Sequence, residues 1–202
     1  MKAEISPETP ELPKPDIERV EGTFKELLSA LRPRWRADPH LRDTPKRLAR
    51  MYVDELFAYF HTPEVDMKTF PRDDETSLSA KERFSMKEIP YRSLCPHHFM
   101  PVEWEVDVEW KFKSGINSRN SSVPLIGLSK IPRAVQHLAK QPITQEQFTR
   151  LVAEKLHETL TSGGGGAMSL QVNVCVKAKH LCMSHRGILH NPLTETRITL
   201  PV

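Results

Sequence analysis

Two stretches of this chain alternate apolar and polar side chains, and they constrain its fold more than any other feature. From Val102 to Phe112 every second residue is apolar, and the residues between them are charged. The stretch from Leu170 to Ala178 has the same period, with Cys175 among its polar positions. A period of two places the apolar side chains of a strand on one face. Both stretches therefore predict half-buried strands with one wet face.

Helical patterns precede and separate these strands. Apolar residues recur at helical spacing from Ile17 to Leu31, which predicts a first helix. Thr44 is the predicted N-cap of a second helix, with Pro45 at its first position. Between the two strand regions, a short helix is predicted from Ser129 through Lys140. A longer one begins at Thr144 and carries its own apolar stripe.

The remaining segments complete the order of elements. Residues 1–15 hold four prolines and predict a flexible tail. The segment 113–124 predicts a hairpin connection, and 194–200 predicts a last strand. The order is helix, helix, strand pair, helix, helix, strand pair, which indicates an α+β fold: an antiparallel sheet with helices on one face. A helical region over 16–62 and a main domain over 63–202 follow from this order.

Composition excludes several classes of protein. The 202 residues carry a net charge of +3, so no global field favours nucleic acid. No apolar run reaches the length of a membrane span, and the N-terminus has no hydrophobic signal core, so a cytoplasmic protein is expected. The three cysteines are an odd number. An odd count in a reducing compartment favours thiolate chemistry or metal binding over a disulfide framework.

Two of the three cysteines lie beside histidines. Cys95 opens the segment CPHH, and Cys182 closes the segment HLC. Together with His98, these cysteines supply three ligands that suit zinc and leave a fourth position open for an activated water. The alternative is that Cys95 is an ordinary cysteine like Cys175, and that the neighbouring histidines occur there by chance.

Two further histidines belong to the same segments. His97 and His180 are the candidates for proton transfer, because a neutral imidazole titrates near the working pH. Alternatively, either of them only orients a metal ligand.

Positive charges suited to an anion recur along the chain. A hydroxyl and two cations lie at the start of the predicted helix after residue 128, where backbone N–H groups already favour an anion. An arginine pair one turn apart and an arginine four residues after Cys182 add to them. These residues are Ser129, Lys130 and Arg133; Arg47 and Arg50; and Arg186. Converging on one site, they would suit a polyphosphate; each pair alone is equally typical of a solvated helix face.

Gln145 and Glu146 offer an amide and a carboxylate at the start of the next helix. A carboxylate can accept two N–H bonds from the edge of a guanine. An acidic residue in a first helical turn is also favourable by itself. The sequence leaves both readings open.

Assembled in this order, these residues resemble the zinc-dependent type IA GTP cyclohydrolase I family. The similarity extends over roughly residues 17–190. The segments that carry it are Asp43-Thr44-Pro45 with Arg47, Met51 to Glu55, Cys95-x-His97-His98, Ile126 to Lys130, Arg133, Gln145-Glu146, and His180-x-Cys182-Met183-x-x-Arg186-Gly187.

The resemblance implies the tunnelling fold, a ββααββ unit behind N-terminal helices, assembled as a homodecamer of two pentameric rings. It implies that GTP and water give 7,8-dihydroneopterin triphosphate and formate, the entry to folate or pterin synthesis. Zn²⁺ would be held by Cys95, His98 and Cys182. The triphosphate would be held by Arg47, Arg50, Ser129, Lys130, Arg133 and Arg186, and the guanine by Gln145 and Glu146. His180 would protonate N7 of the purine, and His97 would assist later proton transfers.

One position departs from the family pattern. Pro96 stands where most relatives have glutamate, so a carboxylate and a backbone donor are lost. This departure keeps alternatives open: a divergent relative that acts on another purine nucleotide or stops at an earlier intermediate, and a protein that binds nucleotide without turnover. A nitrile reductase of the same fold is a further alternative, against which the pair His97-His98 and Cys182 argue.

Overall fold

The computed structural model describes residues 13–70, 83–112, 124–162 and 170–200. Most of the predicted tail and nearly all of the predicted hairpin connection lie outside these ranges. The chain divides into two compact units, residues 1–63 and 64–202. Within the described ranges, the helices are all too short or too polar to cross a membrane.

The described part of the first unit, residues 13–63, is mainly helical. Its α-helices are α1 (Ile17–Leu31) and α2 (Thr44–Arg50), with shorter helical turns at Trp35–Ala37, Met51–Leu56 and Ala58–His61. Asp16 caps α1, and its carboxylate accepts from the backbone N–H of Glu18 at 2.9 Å. The predicted N-cap of α2 is wrong by one residue, because Asp43 is the cap and Thr44 is already helical. The hydroxyl of Thr44 donates backwards to the carbonyl of His40 at 3.3 Å instead.

The second unit contains six strands and three α-helices in its described part. In chain order they are β1 (Thr69–Phe70), β2 (Arg83–Leu94), β3 (Pro101–Phe112), β4 (Leu125–Ile126), α3 (Lys130–Ala139), α4 (Gln145–Ser162), β5 (Leu170–His180), α5 (Leu181–Ser184) and β6 (Thr194–Leu200). The predicted helices and alternating strands are confirmed, with boundary shifts of one or two residues. Ser129 is the N-cap residue of α3, although its hydroxyl forms no capping hydrogen bond.

Four long strands form one antiparallel sheet in the order β2-β3-β5-β6. The apolar residues of β3 and β5 stand opposite each other, as Val106 does with Val176, and both are buried. Both long helices cover this face. Trp104 of β3 packs against Phe148 of α4, and the hydroxyl of Tyr91, whose strand partner is Trp104, donates to the carbonyl of Pro132 in α3 at 2.5 Å. The predicted α+β fold with helices on one face is therefore confirmed.

The first hairpin lies in a different place from the predicted one. β3 pairs with β2, which precedes it, through a turn at residues 95–100. The strand after the segment 113–124 is β4, and β4 pairs with β1 in a separate two-stranded sheet. The predicted hairpin at 113–124 is therefore wrong. The true hairpin turn is the segment that contains Cys95.

Candidate metal and nucleotide site

The turn between β2 and β3 is closed by its own backbone. The N–H of Cys95 donates to the carbonyl of Met100, and the N–H of Phe99 donates to the carbonyl of Cys95, each at 2.9 Å. Phe99 has a φ of 50°, the left-handed conformation that a tight turn needs. Pro96 restricts φ next to Cys95. The sequence therefore holds a buried cysteine and two exposed histidines in a compact loop.

Cys182 reaches the same end of the sheet from β5. β5 ends at His180, which stands opposite Val102 near the start of β3. The chain then turns into α5, which carries Cys182. Continued alternation would put His180 and Cys182 on one strand face, but the period of two stops at His180. The short helical turn instead brings the Cys182 thiol back toward the hairpin turn.

The three predicted metal ligands come together. The ligand atoms of Cys95, His98 and Cys182 all lie within 4.8 Å of one another. The Sγ of Cys95 is 3.9 Å from Nδ1 of His98. Nδ1 of His97 is closer, at 3.7 Å, so distance to Cys95 alone does not choose between the two histidines. The group of three is a set that could hold a metal ion.

The donor set and its spacing fit a tetrahedral centre. Zinc bonds of about 2.3 Å to sulfur and 2.0 Å to nitrogen put sulfur and nitrogen ligands about 3.5 Å apart. The observed separation of Cys95 and His98 is 3.9 Å and the three ligand atoms lie within 4.8 Å of one another, so the group would contract on binding zinc. Two thiols and one imidazole are soft and borderline donors of the kind zinc prefers. This comparison describes the protein ligands only.

Several influences act on the pKa of the Cys182 thiol, and they oppose one another. Burial raises the pKa of the Cys182 thiol, and the neighbouring Cys95 raises this pKa further. The guanidinium of Arg186, an exposed residue four positions further along the chain, acts in the opposite direction and lowers the pKa of Cys182. The part of Arg186 in anion binding stays a prediction.

His180 is held by a buried amide. Nε2 of His180 is 3.1 Å from Oε1 of Gln145, the first residue of α4. The amide nitrogen of Gln145 donates to the carbonyls of Val176 at 2.9 Å and Thr194 at 3.3 Å, and its oxygen accepts from the Thr194 hydroxyl at 2.6 Å. All four hydrogen-bonding positions of this amide are therefore used within the chain.

Glu146 lies beside the same histidine with a different environment. Burial lowers the pKa of His180, and the carboxylate of Glu146 partly offsets this by raising it. Glu146 itself is exposed, whereas Gln145 is 5% exposed. Of the two residues predicted to read a base, only Glu146 thus presents its side chain to solvent.

A backbone bridge holds the start of α4 near the hairpin turn at residues 95–100. Leu94, immediately before Cys95, forms a parallel bridge with Pro142, and its carbonyl accepts from the N–H of Ile143 at 3.2 Å. Two residues later α4 begins with Gln145. Residues far apart in sequence are therefore fixed around one end of the sheet by main-chain contacts.

The other predicted anion-binding residues lie at two places. Ser129, Lys130 and Arg133 are at the start of α3, and Ser129 and Arg133 are exposed. Arg47 and Arg50 are exposed in the first unit, where Arg47 donates to the carbonyl of His40 at 2.9 Å. Their part in binding stays a prediction.

Thr194 is a site residue that sequence reasoning missed. It is the first residue of β6, and its hydroxyl contacts both Gln145 and the carbonyl of Ala178, at 3.2 Å. Its sequence context is an alternating strand, which gives no sign of this role. The pairing of β5 with β6, in which Thr194 stands opposite Ala178, brings it to Gln145.

Comparisons with known proteins agree with this architecture. The GTP cyclohydrolase I family profile matches residues 20–200. The GTP cyclohydrolase 1 of Enterococcus faecalis is 37% identical over 158 residues, which cover 78% of this chain and 73% of that protein. The enzyme so named from Geobacillus sp. is 34% identical over 181 residues, covering 88% and 83%, and that of Bacillus subtilis is 32% identical over 174 residues, covering 85% and 79%. With its ββααββ order and its tunnelling fold, this chain belongs to the GTP cyclohydrolase I family.

Proposed function

We propose that this protein is a GTP cyclohydrolase I, a hydrolase that acts on cyclic amidine C–N bonds. It would convert GTP and water to 7,8-dihydroneopterin triphosphate and formate. The observation that carries the proposal is the convergence of Cys95, His98 and Cys182, whose ligand atoms lie within 4.8 Å of one another in a chain of this family.

We assign Cys95, His98 and Cys182 as the ligands of a zinc ion. Zinc held by three protein ligands supplies a Lewis acid that activates water at neutral pH. The thiols of the two cysteines come from remote segments, so the metal would also join the hairpin turn to α5. Arg186, which is near Cys182, would offset the negative charge of two thiolates.

His180 would move a proton at N7 of the purine. A proton on N7 withdraws electrons from C8 and makes this carbon open to attack by water. Burial favours a neutral imidazole at His180, and the Glu146 carboxylate favours the charged one. A pKa shifted by burial beside a specific charge partner is typical of functional sites. His97, exposed on the turn, would assist proton transfers during ring opening.

The nucleotide would be held by charge at one end and by a carboxylate at the other. Ser129, Lys130 and Arg133 offer a hydroxyl and two cations at the start of α3, which suits a triphosphate. Arg186 would add a fourth polar group to this set, and Arg47 and Arg50 are assigned to the triphosphate by family resemblance. The exposed carboxylate of Glu146 would accept N–H bonds from the guanine edge.

Assembly and location follow from the same proposal. By family resemblance we expect a homodecamer of two pentameric rings. The edges of β2 and β6, the outer strands of the sheet, would suit contacts between neighbouring copies. Sedimentation velocity would test this. Free cysteines at all three positions suit a reducing compartment such as the cytoplasm, where thiolates remain available to a metal.

The activity is tested by product identification from GTP. The purified protein is incubated with GTP, and formate and the fluorescent oxidised pterin are measured alongside bound zinc. A matched sample is treated with a chelator and then reloaded with zinc. We expect both products in the untreated and reloaded samples, and neither in the chelated one. Binding of GTP without formate would contradict the proposal, as would formate release that persists at full rate after complete metal removal.

A further inference from the structure

The buried amide of Gln145 has its orientation fixed by its partners. Two of these partners are the backbone carbonyls of Val176 and Thr194, which can only accept hydrogen bonds. The amide group that faces them must therefore be the NH₂ group, since an oxygen in that position would repel both. The amide oxygen consequently points toward the Thr194 hydroxyl and His180.

This orientation determines which nitrogen of His180 carries hydrogen. The amide oxygen of Gln145 has no hydrogen to give, so Nε2 of His180, 3.1 Å away, must donate to it. In the neutral ring the hydrogen then sits on Nε2, and Nδ1 keeps its lone pair. Nδ1 is consequently the nitrogen free to exchange a proton with a substrate.

Resting on the function proposed above, we infer that Gln145, held by Thr194, is a positioning residue that fixes the ring orientation and the Nε2–H tautomer of His180, so that proton transfer to the purine runs through Nδ1. Gln145 therefore contributes to turnover without contacting the guanine. This role differs from the base-reading role expected from the sequence. It also explains why a glutamine is 5% exposed at the start of α4, where Glu146 beside it is exposed.

The kinetic test compares two buried glutamines. Gln145→Leu removes the amide at similar volume, and Gln141→Leu is the matched control, because Gln141 is 8% exposed and its amide donates to the carbonyl of Leu138 at 3.1 Å. We expect Gln145→Leu to lower kcat for GTP about tenfold or more, since a misplaced catalytic group is costly. The KM for GTP and the bound zinc should stay within about threefold of wild type. Gln141→Leu should leave kcat unchanged.

A second pair of variants guards against misfolding of Gln145→Leu. Thr194→Val removes the hydroxyl that donates to Oε1, and Thr194→Ser restores a hydroxyl at the same position. We expect a smaller loss of kcat in Thr194→Val and near wild-type kcat in Thr194→Ser. Rescue by serine would not occur if Thr194 mattered only for packing of its methyl group.

A spectroscopic measurement decides the tautomer independently of activity. The full protein labelled with ¹⁵N-histidine is studied by solid-state NMR at about pH 8, where neutral rings dominate. His180→Gln identifies the two ring signals. We expect a protonated Nε2 and an unprotonated Nδ1 in wild type, and a mixture of tautomers in Gln145→Leu.

The outcomes separate the two proposals. A protonated Nδ1 in wild type, equal kcat in the Gln145→Leu and Gln141→Leu variants, or a rise in KM with unchanged kcat would each overturn the positioning role. The last result would restore the base-reading role. If wild type gives no pterin from GTP, the proposed function fails, and the NMR measurement still decides whether Gln145 fixes the His180 tautomer.

Discussion

The indole of Trp104 meets the phenyl ring of Phe148 edge-on, with the ring centroids 4.0 Å apart. The two side chains are 3% and 0% exposed, so this pair is a central contact between the sheet and α4. Phe148 lies within one turn of Gln145 and Glu146. The packing of one aromatic pair therefore sets the position of the helix end that faces His180.

Loss of this aromatic contact should destabilise the protein strongly. We expect Phe148→Ala to lower the free energy of unfolding by about 3–5 kcal/mol, because it leaves a cavity in a dense core. Phe148→Leu should cost about 1 kcal/mol. Urea unfolding at fixed protein concentration measures both values. Phe70→Ala is the control, since Phe70 is 54% exposed, and it should change stability by about 0.5 kcal/mol or less. Equal losses at Phe148 and Phe70 would contradict this account of the core.

Cys182→Ser should lower bound zinc and abolish turnover of GTP. Serine at neutral pH offers a protonated hydroxyl in place of a thiolate, so the predicted site loses one of its three ligands. Bound metal is measured by elemental analysis and turnover by pterin fluorescence. We expect about one zinc per chain in wild type and a small fraction of this in the variant.

A second cysteine provides the control for this experiment. Cys175 is buried, and its position on β5 is opposite Asp107 and Arg197 in the sheet. It lies outside the group formed by Cys95, His98 and Cys182. Cys175→Ser should therefore retain zinc and turnover. Full zinc content in Cys182→Ser, or zinc loss in Cys175→Ser, would remove the assignment of the metal ligands.

The strands with unbroken alternation could be predicted from sequence, and β2 could not. The inward residues of β2 are Phe84 and Met86 before a register shift, and Ile89 and Tyr91 after it. At the shift Glu88 has a φ of 56° and donates its N–H to the carboxylate of Asp107 at 2.8 Å. This bulge reverses the parity of the apolar positions, so the period of two is broken within the strand.

A proline in β2 makes this strand still harder to predict from the sequence. Pro90 cannot donate a hydrogen bond and argues against a central strand. The structure accommodates it because β2 is an outer strand of the sheet. The sequence pattern therefore predicts the hairpin on the wrong side of β3, although it predicts the α+β class and the helices correctly.

The residues of the candidate site also differ in whether they could be predicted from the sequence. Cys95, His98 and Cys182 could be recognised because ligand types cluster in short segments, and residue type is enough to suggest a metal. The contacts of Gln145 with His180 and with Thr194 could not, because they depend on the pairing of β5 with β6 and on the position of α4. Sequence patterns can reveal site residues that cluster in short segments. They do not reveal a contact that forms only when separate elements pack together.

Acid should destabilise the protein through His137. This histidine on α3 is 8% exposed, and burial lowers its pKa below the usual value near 6.5. Glu64 raises this pKa, and Lys140 and Lys155 lower it. The unfolded chain therefore binds the proton more readily than the fold does. The contribution of the neutral ring to stability is complete above about pH 6.5 and is lost as the pH falls through the lowered value.

Unfolding free energies at about pH 7.5 and pH 5 check this prediction. We expect wild type to lose stability between these values and His137→Gln to lose less. His190→Gln is the control, because His190 is exposed and its removal should leave the difference unchanged. A difference in His137→Gln as large as that in wild type would show that other groups cause the loss.

Glu146→Ala should weaken recognition of guanine far more than recognition of phosphate. The exposed carboxylate is close enough to raise the pKa of His180, so a purine placed at His180 would lie within its reach. Inosine triphosphate lacks the 2-amino group that a carboxylate would bind. We expect the preference for GTP over inosine triphosphate, measured as a ratio of kcat/KM, to fall about tenfold in this variant. Inhibition by inorganic triphosphate should not change.

A neighbouring carboxylate on the same helix makes this test selective. Glu154 is two turns further along α4 and lies 3.8 Å from Arg150, so Glu154→Ala removes equal charge at a distance from His180. It should leave the ratio at its wild-type value. Equal loss of kcat/KM for the two nucleotides in Glu146→Ala would mean that the carboxylate acts on His180 or on folding. If Glu146→Ala changes the ratio of kcat/KM values and Gln145→Leu changes only kcat, base reading and proton transfer belong to different residues. These two residues are adjacent in one helical turn.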